Sequence, residues 1–160
     1  MFTVTRHLSA SPGEVFRAFS DTVLRRRWFK LPGSGATYEH DFRVGGGETA
    51  HSTFTTLDTR PQRLRYWSRY LDIAPDARIV YVYESHVDGV LRWTSLATVE
   101  LRAAKAMGTE LSWTEQVAFV TPTSDGNDDL LHVRGSTRLR LNGLAVALAS
   151  PGSQETVSLT

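Results

Sequence analysis

The sequence from Ile79 to Ala103 reads IVYVYESHV-DG-VLRWTSLATVELRA, two runs of strand-forming residues on either side of Asp88-Gly89. β-Branched and aromatic residues dominate both runs, and this composition is typical of β-strands. An Asp-Gly pair tolerates the positive φ angles that a two-residue hairpin turn requires. The stretch therefore predicts an antiparallel hairpin near the centre of the chain.

This hairpin lies within a longer β-rich region that extends from Thr37 to Phe119. Turn-forming residues interrupt the region at Gly45 to Gly47, Arg60-Pro61, Pro75-Asp76, Asp88-Gly89 and Met107-Gly108. The spacing predicts six strands, and connections this short require antiparallel neighbours. The glycine run lacks the lysine of a P-loop and the spacing of a dinucleotide fingerprint, so it is interpreted as a turn and not as a phosphate site.

Before this region, the chain is expected to form one strand and two short helices. Phe2 to Leu8 alternates polar and apolar residues, as strands do. Ser11 to Glu14 has the pattern of a capping box with proline at the first helical position, so a helix should begin at that proline. Asp21 can cap a second helix, in which Leu24 and Trp28 share one face.

After the β-rich region, a polar segment from Pro122 to Asp129 is expected to be a mobile loop. A long helix is predicted from about Leu130 to Ala149. Its apolar face follows i, i+3, i+4 and i+7 spacing through Leu141, Leu144, Ala145 and Leu148. Pro151-Gly152 should end the helix, residues 150–160 are expected to be a flexible tail, and residues 1–149 are expected to form a single domain.

The composition limits the classes of protein to which the chain can belong. It has 160 residues, no cysteine, and 18 basic against 17 acidic residues, which gives a formal net charge of +1. The lack of cysteine excludes disulfide frameworks, and near neutrality offers no electrostatic basis for binding nucleic acid. The sequence shows no targeting signal and no apolar run of roughly 20 residues, so a cytoplasmic location without membrane insertion is expected.

No metal or cofactor is predicted. The five histidines lie on separate segments without the spacing of metal ligands: His7, His40, His51, His86 and His132. No serine has the Gly-x-Ser-x-Gly pattern of a hydrolase nucleophile, and no residue is assigned a catalytic role.

The order of elements predicts an α+β fold. A curved seven-stranded antiparallel sheet would wrap around the long C-terminal helix, with two short helices after strand one. A sheet bent around a helix seldom fills the space between them completely. The expected result is a cavity lined by inward-facing side chains.

Seven segments resemble the SRPBCC superfamily and, more narrowly, bacterial homologues of the heat shock protein 90 ATPase activator. They are Val15 to Phe19, Arg27 to Phe29, Tyr38 to Gly46, Asp72 to Pro75, Arg78 to Glu84, Ser95 to Glu100 and Gly108 to Gln116. The resemblance implies a helix-grip, START-like domain with a central ligand cavity. The superfamily includes lipid carriers, hormone receptors and aromatase/cyclases. Ser136 lies near a position where many relatives carry tryptophan, and this departure implies a wider cavity.

Side-chain alternation indicates which strand residues face the cavity. Trp113, Glu115 and Phe119 share one face of the last strand, and the preceding strand turns Trp93 and Ser95 the same way. Because Ser95 is small, it should leave room opposite Trp113. Tyrosines at i, i+2 or i+4 spacing either orient a ligand or form an aromatic core. The predicted ligand-binding residues are Trp28, Tyr66, Tyr70, Tyr81, Tyr83, Trp93, Ser95, Trp113, Glu115 and Phe119.

Some of these residues have two interpretations. Glu115 lies among apolar neighbours, so it is either a ligand anchor or general acid, or a structural carboxylate held by hydrogen bonds or an arginine. His51 could pair with it for acid/base chemistry, although a lone histidine on a strand is usually structural. Trp28 lies either at the mouth of the cavity or in the core. Arg25 to Arg27 is expected to be a solvated helix face.

The leading functional hypothesis is a soluble module that binds a small hydrophobic or amphipathic molecule. One alternative is an enzyme of cyclase or hydratase type that uses the same cavity. The other is a co-chaperone that acts through its surface, as the family resemblance suggests. The residues do not decide whether the chain is an enzyme, although a non-enzymatic role is favoured. The expected partner is a small molecule, with a homodimer or a chaperone partner left open.

Overall fold

The computed structural model describes residues 1–55, 57, 60–123 and 127–150. The elements are β1 Phe2–Leu8, α1 Pro12–Ser20, α2 Thr22–Trp28, β2 Ser34–His40, β3 Glu48–Phe54, β4 Gln62–Ala74, β5 Arg78–Val87, β6 Val90–Ala103, β7 Thr109–Phe119 and α3 Asn127–Ala149. One antiparallel sheet holds these strands in the order β1-β7-β6-β5-β4-β3-β2. The predicted α+β helix-grip fold, with a curved sheet around a long C-terminal helix, is confirmed.

The central hairpin forms at the predicted turn. Val87 pairs with Val90, and the register continues to Arg78 opposite Glu100. The turn residues Asp88 and Gly89 have φ angles of 51° and 80°. Both angles are positive, as a turn of this type requires.

The predicted helix starts are confirmed. Ser11 accepts a hydrogen bond from the Glu14 backbone N–H, and the Glu14 carboxylate accepts one from the Ser11 backbone N–H at 2.8 Å. Asp21 caps α2 by accepting from the backbone N–H groups of Val23 and Leu24. These side chains satisfy donors that would otherwise lack partners at the first turn of each helix.

The glycine run after β2 is a turn, as predicted. Gly45 has a φ of 85°, and its backbone N–H donates to the carbonyl oxygen of Tyr70 on β4. A Cβ atom at Gly47 would lie 1.8 Å from the carbonyl oxygen of Ser68. Glycine is therefore required at Gly47 by the close approach of β4.

The long helix α3 differs from its prediction in two details. It begins at Asn127, earlier than expected, with Asp128 in the first turn, where a carboxylate interacts favourably with the helix dipole. Leu141 and Leu144 are fully buried as predicted, but Ala145 is exposed. The buried stripe instead continues toward the start of the helix through Thr137 and Val133. Ala145 lies about 100° around the helix from Leu144 and so falls off this stripe.

Parts of two predictions lie outside the described residues. They are the central part of the polar loop, 124–126, and the chain after Ser150, including the predicted stop at Pro151-Gly152 and the tail. Within the described residues, no helix has both the length and the apolar character needed to cross a membrane.

Candidate functional site

A cavity of about 700 Å³ lies between the inner face of the sheet and the N-terminal half of α3. Strands β4 to β7 form one wall, Val133, Ser136 and Arg140 of α3 form the opposite wall, and Leu31-Pro32 after α2 contributes to its lining. The volume falls within the range of sites that enclose small molecules. Ser136 lines this cavity.

Four of the predicted ligand-binding residues line the cavity, one from each of four neighbouring strands. Tyr66, Tyr83, Trp93 and Phe119 belong to β4, β5, β6 and β7 respectively. The rings of Tyr66 and Tyr83 stack with centroids 5.3 Å apart, and the Trp93 indole Nε1 donates to the Tyr83 hydroxyl at 3.4 Å. Because inward side chains of paired strands are neighbours, these residues form a continuous aromatic wall.

The other six predicted residues do not line this cavity, because they lie in the packed interior. They are Trp28, Tyr70, Tyr81, Ser95, Trp113 and Glu115. Trp28 donates from Nε1 to the carbonyl oxygen of Ala18, and the Tyr70 hydroxyl lies 3.0 Å from His40 Nε2.

The space expected opposite Trp113 is filled. Trp113 is fully buried between the rings of Phe19 and Tyr81, whose centroids lie 6.0 and 6.2 Å from that of Trp113. The Ser95 hydroxyl donates to Glu115 at 3.0 Å instead of facing open space. The strand phase was predicted correctly, but the tertiary packing closes this part of the interior.

Glu115 is 0% exposed and accepts four side-chain hydrogen bonds. Tyr83 and Ser95 donate to Oε2 at 2.6 and 3.0 Å, and Trp113 Nε1 and the Thr137 hydroxyl donate to Oε1 at 3.0 and 2.7 Å. Four donors match the acceptor capacity of an ionised carboxylate. These hydrogen bonds join β5, β6, β7 and α3, as expected if Glu115 is a structural carboxylate and not a ligand anchor or general acid.

The acid/base pairing considered for Glu115 does not form. His51 lies on β3, where its side chain is exposed and its backbone pairs with Thr37 and Arg65. No group of three or more histidine, aspartate or glutamate side chains in the described part of the chain is placed to hold a metal ion.

A buried ion pair between α2 and β3 was not predicted from the sequence. Arg25 is 2% exposed, and its guanidinium Nε and Nη2 donate to the Glu48 carboxylate at 2.7 and 3.1 Å. The Tyr38 hydroxyl donates to the same carboxylate at 2.5 Å. The expected solvated face is therefore wrong for Arg25, although Arg26 and Arg27 are exposed. The position of Trp28 could have indicated that Arg25 is buried, because Trp28 follows Arg25 by three residues and so lies on the same helix face.

The ion pair remains charged despite its burial. Burial alone would raise the pKa of Glu48, but the Arg25 charge and the hydrogen bonds from Arg25 and Tyr38 hold that pKa below its ordinary value. The pair fixes the end of α2, where Phe29 packs against Tyr66 with ring centroids 4.8 Å apart. The ion pair thereby supports the side of the cavity formed by Tyr66, although neither Arg25 nor Glu48 lines the cavity.

Arg140 is a functional candidate that was not predicted from the sequence. It lies on the cavity wall one helical turn after Ser136, and its guanidinium carbon is 5.0 Å from the ring centroid of Phe29. The same carbon is 5.8 Å from the centroid of Tyr66. The signal was the i, i+4 relation to Ser136, which places both side chains on one face of α3.

Comparison with known proteins agrees with this geometry. The model of the family "Activator of Hsp90 ATPase homolog 1-like protein" matches residues 9–149. No curated protein sequence matches the chain.

Solved structures give the same fold. An uncharacterised protein from Rhizobium leguminosarum is 34% identical, with 92% of each chain covered and a TM-score of 0.77. The Mll3558 protein from Rhizobium loti is 37% identical, with 91% of this chain and 94% of that chain covered and a TM-score of 0.73. Protein CV1439 from Chromobacterium violaceum is 26% identical, with 94% and 98% covered and a TM-score of 0.64. The predicted resemblance is confirmed, and the chain belongs to the Activator of Hsp90 ATPase homolog 1-like family.

Proposed function

We propose that this protein binds a small hydrophobic or amphipathic molecule in the cavity between the sheet and α3. The observation that carries the proposal is the aromatic wall formed by Tyr66, Tyr83, Trp93 and Phe119 around about 700 Å³ of space. Burial of apolar surface contributes roughly 25 cal/mol per Å², so a ligand that covers this wall gains affinity from its apolar body. The polar groups on the α3 side would set its orientation.

A neutral fluorescent probe tests the proposal directly. N-phenyl-1-naphthylamine should bind the wild-type protein with increased emission, because its rings would leave water for the aromatic wall. Ser136→Trp places a large side chain in the cavity and should reduce probe affinity by about tenfold or more. Leu139→Trp adds the same side chain at an exposed position of α3 and serves as the matched control.

The outcomes separate clearly. Loss of probe binding in Ser136→Trp but not in Leu139→Trp supports binding in this cavity. Absence of probe binding to the wild type, or equal affinity in a folded Ser136→Trp variant, contradicts it. Native mass spectrometry of the purified protein beside a denatured control would detect a molecule retained from the cell.

The two alternative functions have less support from the geometry. The cyclase or hydratase hypothesis gave proton transfer to Glu115 or a tyrosine, but Glu115 does not line the cavity and the Tyr83 hydroxyl donates to Glu115. A co-chaperone role follows from the family name. It would be favoured by a filled interior and an exposed docking patch, whereas the cavity is a feature of ligand-binding proteins.

A further inference from the structure

We propose that the bound molecule carries a carboxylate and that Arg140 receives it, with the Tyr66 hydroxyl as a second donor. This inference rests on the proposed function, since it assigns the ligand class of the same cavity. It would make the protein a receptor for acidic amphiphiles.

Arg140 is a half-buried cation that lacks a counter-charge within the protein. Among the described residues, no carboxylate oxygen lies within 4.0 Å of its guanidinium, whereas Arg25, Arg43, Arg78 and Arg102 each have a carboxylate within that distance. The rings of Phe29 and Tyr66 lie close to the guanidinium carbon. Attraction to these rings orients the group and leaves its N–H donors for a planar anion, which a carboxylate matches.

Tyr66 provides the independent second observation. Its side chain is 2% exposed, and its hydroxyl has no hydrogen-bond partner in the described part of the chain. Burial raises the pKa of this hydroxyl, so it remains protonated and available as a donor. A buried donor without an acceptor is costly. The Arg140 guanidinium carbon lies 5.8 Å from the centroid of the Tyr66 ring, so a carboxylate held by Arg140 is the acceptor that we assign to this hydroxyl.

Other charged or titratable side chains line the cavity besides Arg140: Arg65, Arg92, Asp128, Asp129 and His132. Asp128 and Asp129 lie near the start of α3, about 17–18 Å along the helix from Arg140. The Asp129 carboxylate already accepts hydrogen bonds from the backbone N–H and the hydroxyl of Thr123. Arg92 lies close enough to Asp129 to lower the pKa of that carboxyl, and Arg65 is exposed to water. An anion is therefore expected at the half-buried Arg140, with its apolar body extending toward Trp93 and Phe119.

Matched ligands test the inference. Decanoate and 1-decanol have the same apolar chain and differ in the charged head group, so each can be titrated against bound N-phenyl-1-naphthylamine at neutral pH and low salt. Decanoate should displace the probe at a concentration at least about tenfold lower than 1-decanol, as expected for hydrogen bonds between charged partners.

Three variants then identify the residues that cause the preference for decanoate over 1-decanol. Arg140→Gln should abolish the preference for decanoate, so that decanoate and 1-decanol displace the probe at concentrations within about twofold of each other. Arg138→Gln changes an exposed arginine of the same helix and should keep the preference. Tyr66→Phe should reduce it without lowering the melting temperature of the ligand-free protein, because the removed hydroxyl has no partner to lose.

The results distinguish this inference from the proposed function. If the probe binds and both ligands displace it equally from the wild type, cavity binding stands and the carboxylate inference is overturned. A preference that persists in folded Arg140→Gln also overturns it. If neither probe nor ligands bind the wild type, the proposed function itself fails.

Discussion

Glu115 and Glu48 are both buried carboxylates, but their partners differ in kind. Glu115 accepts hydrogen bonds from four neutral donors, and Glu48 accepts a bidentate pair of hydrogen bonds from Arg25 and one from Tyr38. In both cases the donors offset the cost of removing a polar group from water. Each carboxylate holds separate elements together on its side of the interior.

Glu115→Gln is predicted to lower the free energy of unfolding by about 1–3 kcal/mol. The amide has one acceptor oxygen, and its N–H₂ group would face two donors that have no acceptor. Gln116→Ala, at the next position on the opposite sheet face, is the control and should change stability by less than about 0.5 kcal/mol. Urea denaturation measures both changes. Wild-type stability in Glu115→Gln would contradict the proposed anchoring role.

The ion pair between Arg25 and Glu48 should show strong coupling. Glu48→Gln leaves the buried Arg25 cation without a counter-charge and is predicted to destabilise by about 3 kcal/mol or more. Arg25→Met combined with Glu48→Gln removes that unpaired charge and should recover part of the loss. A double variant no more stable than the single Glu48→Gln variant would exclude this explanation. Denaturant midpoints of the wild type and both variants provide the measurement.

At the scale of elements, α3 depends on tertiary contacts more than on its own helix propensity. Thr137 lies within its buried stripe, and Gly135 and Gly143 occur in its interior, where glycine disfavours a helix. A Cβ atom at Gly143 would lie 3.5 Å from Trp28 Cβ, an ordinary contact. In the part of the chain that the structure describes, no heavy atom outside the helix backbone and the neighbouring residues lies within 4 Å of the Cβ position of Gly135.

Gly135→Ala is therefore predicted to stabilise the protein by about 0.5–1 kcal/mol, because alanine improves helix propensity where space is available. Gly47→Ala is the contrasting variant and should destabilise it, since the new Cβ would overlap the Ser68 carbonyl oxygen at 1.8 Å. Thermal unfolding followed by circular dichroism compares both with the wild type. A decrease in melting temperature for Gly135→Ala would show that this helix position is under constraints other than propensity.

At the scale of the whole molecule, the interior has a packed end and an open end along α3. Leu141 and Leu144 are fully buried, and Gly143 approaches Trp28 of α2. Toward the start of the helix, Ser136 and Val133 face the cavity instead. At the open end, the side chains of α3 and the aromatic wall of the sheet do not fill the space between them. At the packed end, buried apolar side chains stabilise the fold.

The stability of the whole molecule should fall in acid, in part through Glu48. Burial opposes ionisation of Glu48, but Arg25 and Tyr38 lower its folded pKa below the ordinary 4.5. Because the pKa of Glu48 is lower in the folded state, its ionisation stabilises the fold at pH values above the pKa of the unfolded state. This stabilisation is lost as the pH falls below about 4.5 toward the folded-state pKa. The stability difference between the wild type and Glu48→Gln should therefore shrink across this range.

Urea denaturation at a series of pH values measures this difference. The comparison with Glu48→Gln isolates Glu48 from Glu14 and Asp129, whose pKa values are also lowered by hydrogen bonds to Ser11 and Thr123. A difference that stays constant between about pH 6 and pH 3 would contradict the assignment.

Local sequence signals determined the elements and their order. Asp88-Gly89 required a hairpin, Ser11 to Glu14 and Asp21 specified two helix starts, and alternation placed Trp113 and Glu115 on the inner sheet face. Such signals act over a few residues, so they can be recognised without knowledge of the fold. The same alternation brought Tyr66, Tyr83, Trp93 and Phe119 to the inner face.

Tertiary structure decided which inward residues meet open space and which meet one another. Glu115 depends on Thr137, 22 residues later, and Arg25 depends on Glu48, 23 residues later. Arg140 reaches the cavity only because α3 crosses the aromatic wall. Alternation assigns a side chain to a sheet face but not to a position along the covering helix. The boundary between packed core and cavity is therefore set by how α1, α2 and α3 lie on the sheet, a property of contacts between distant parts of the chain.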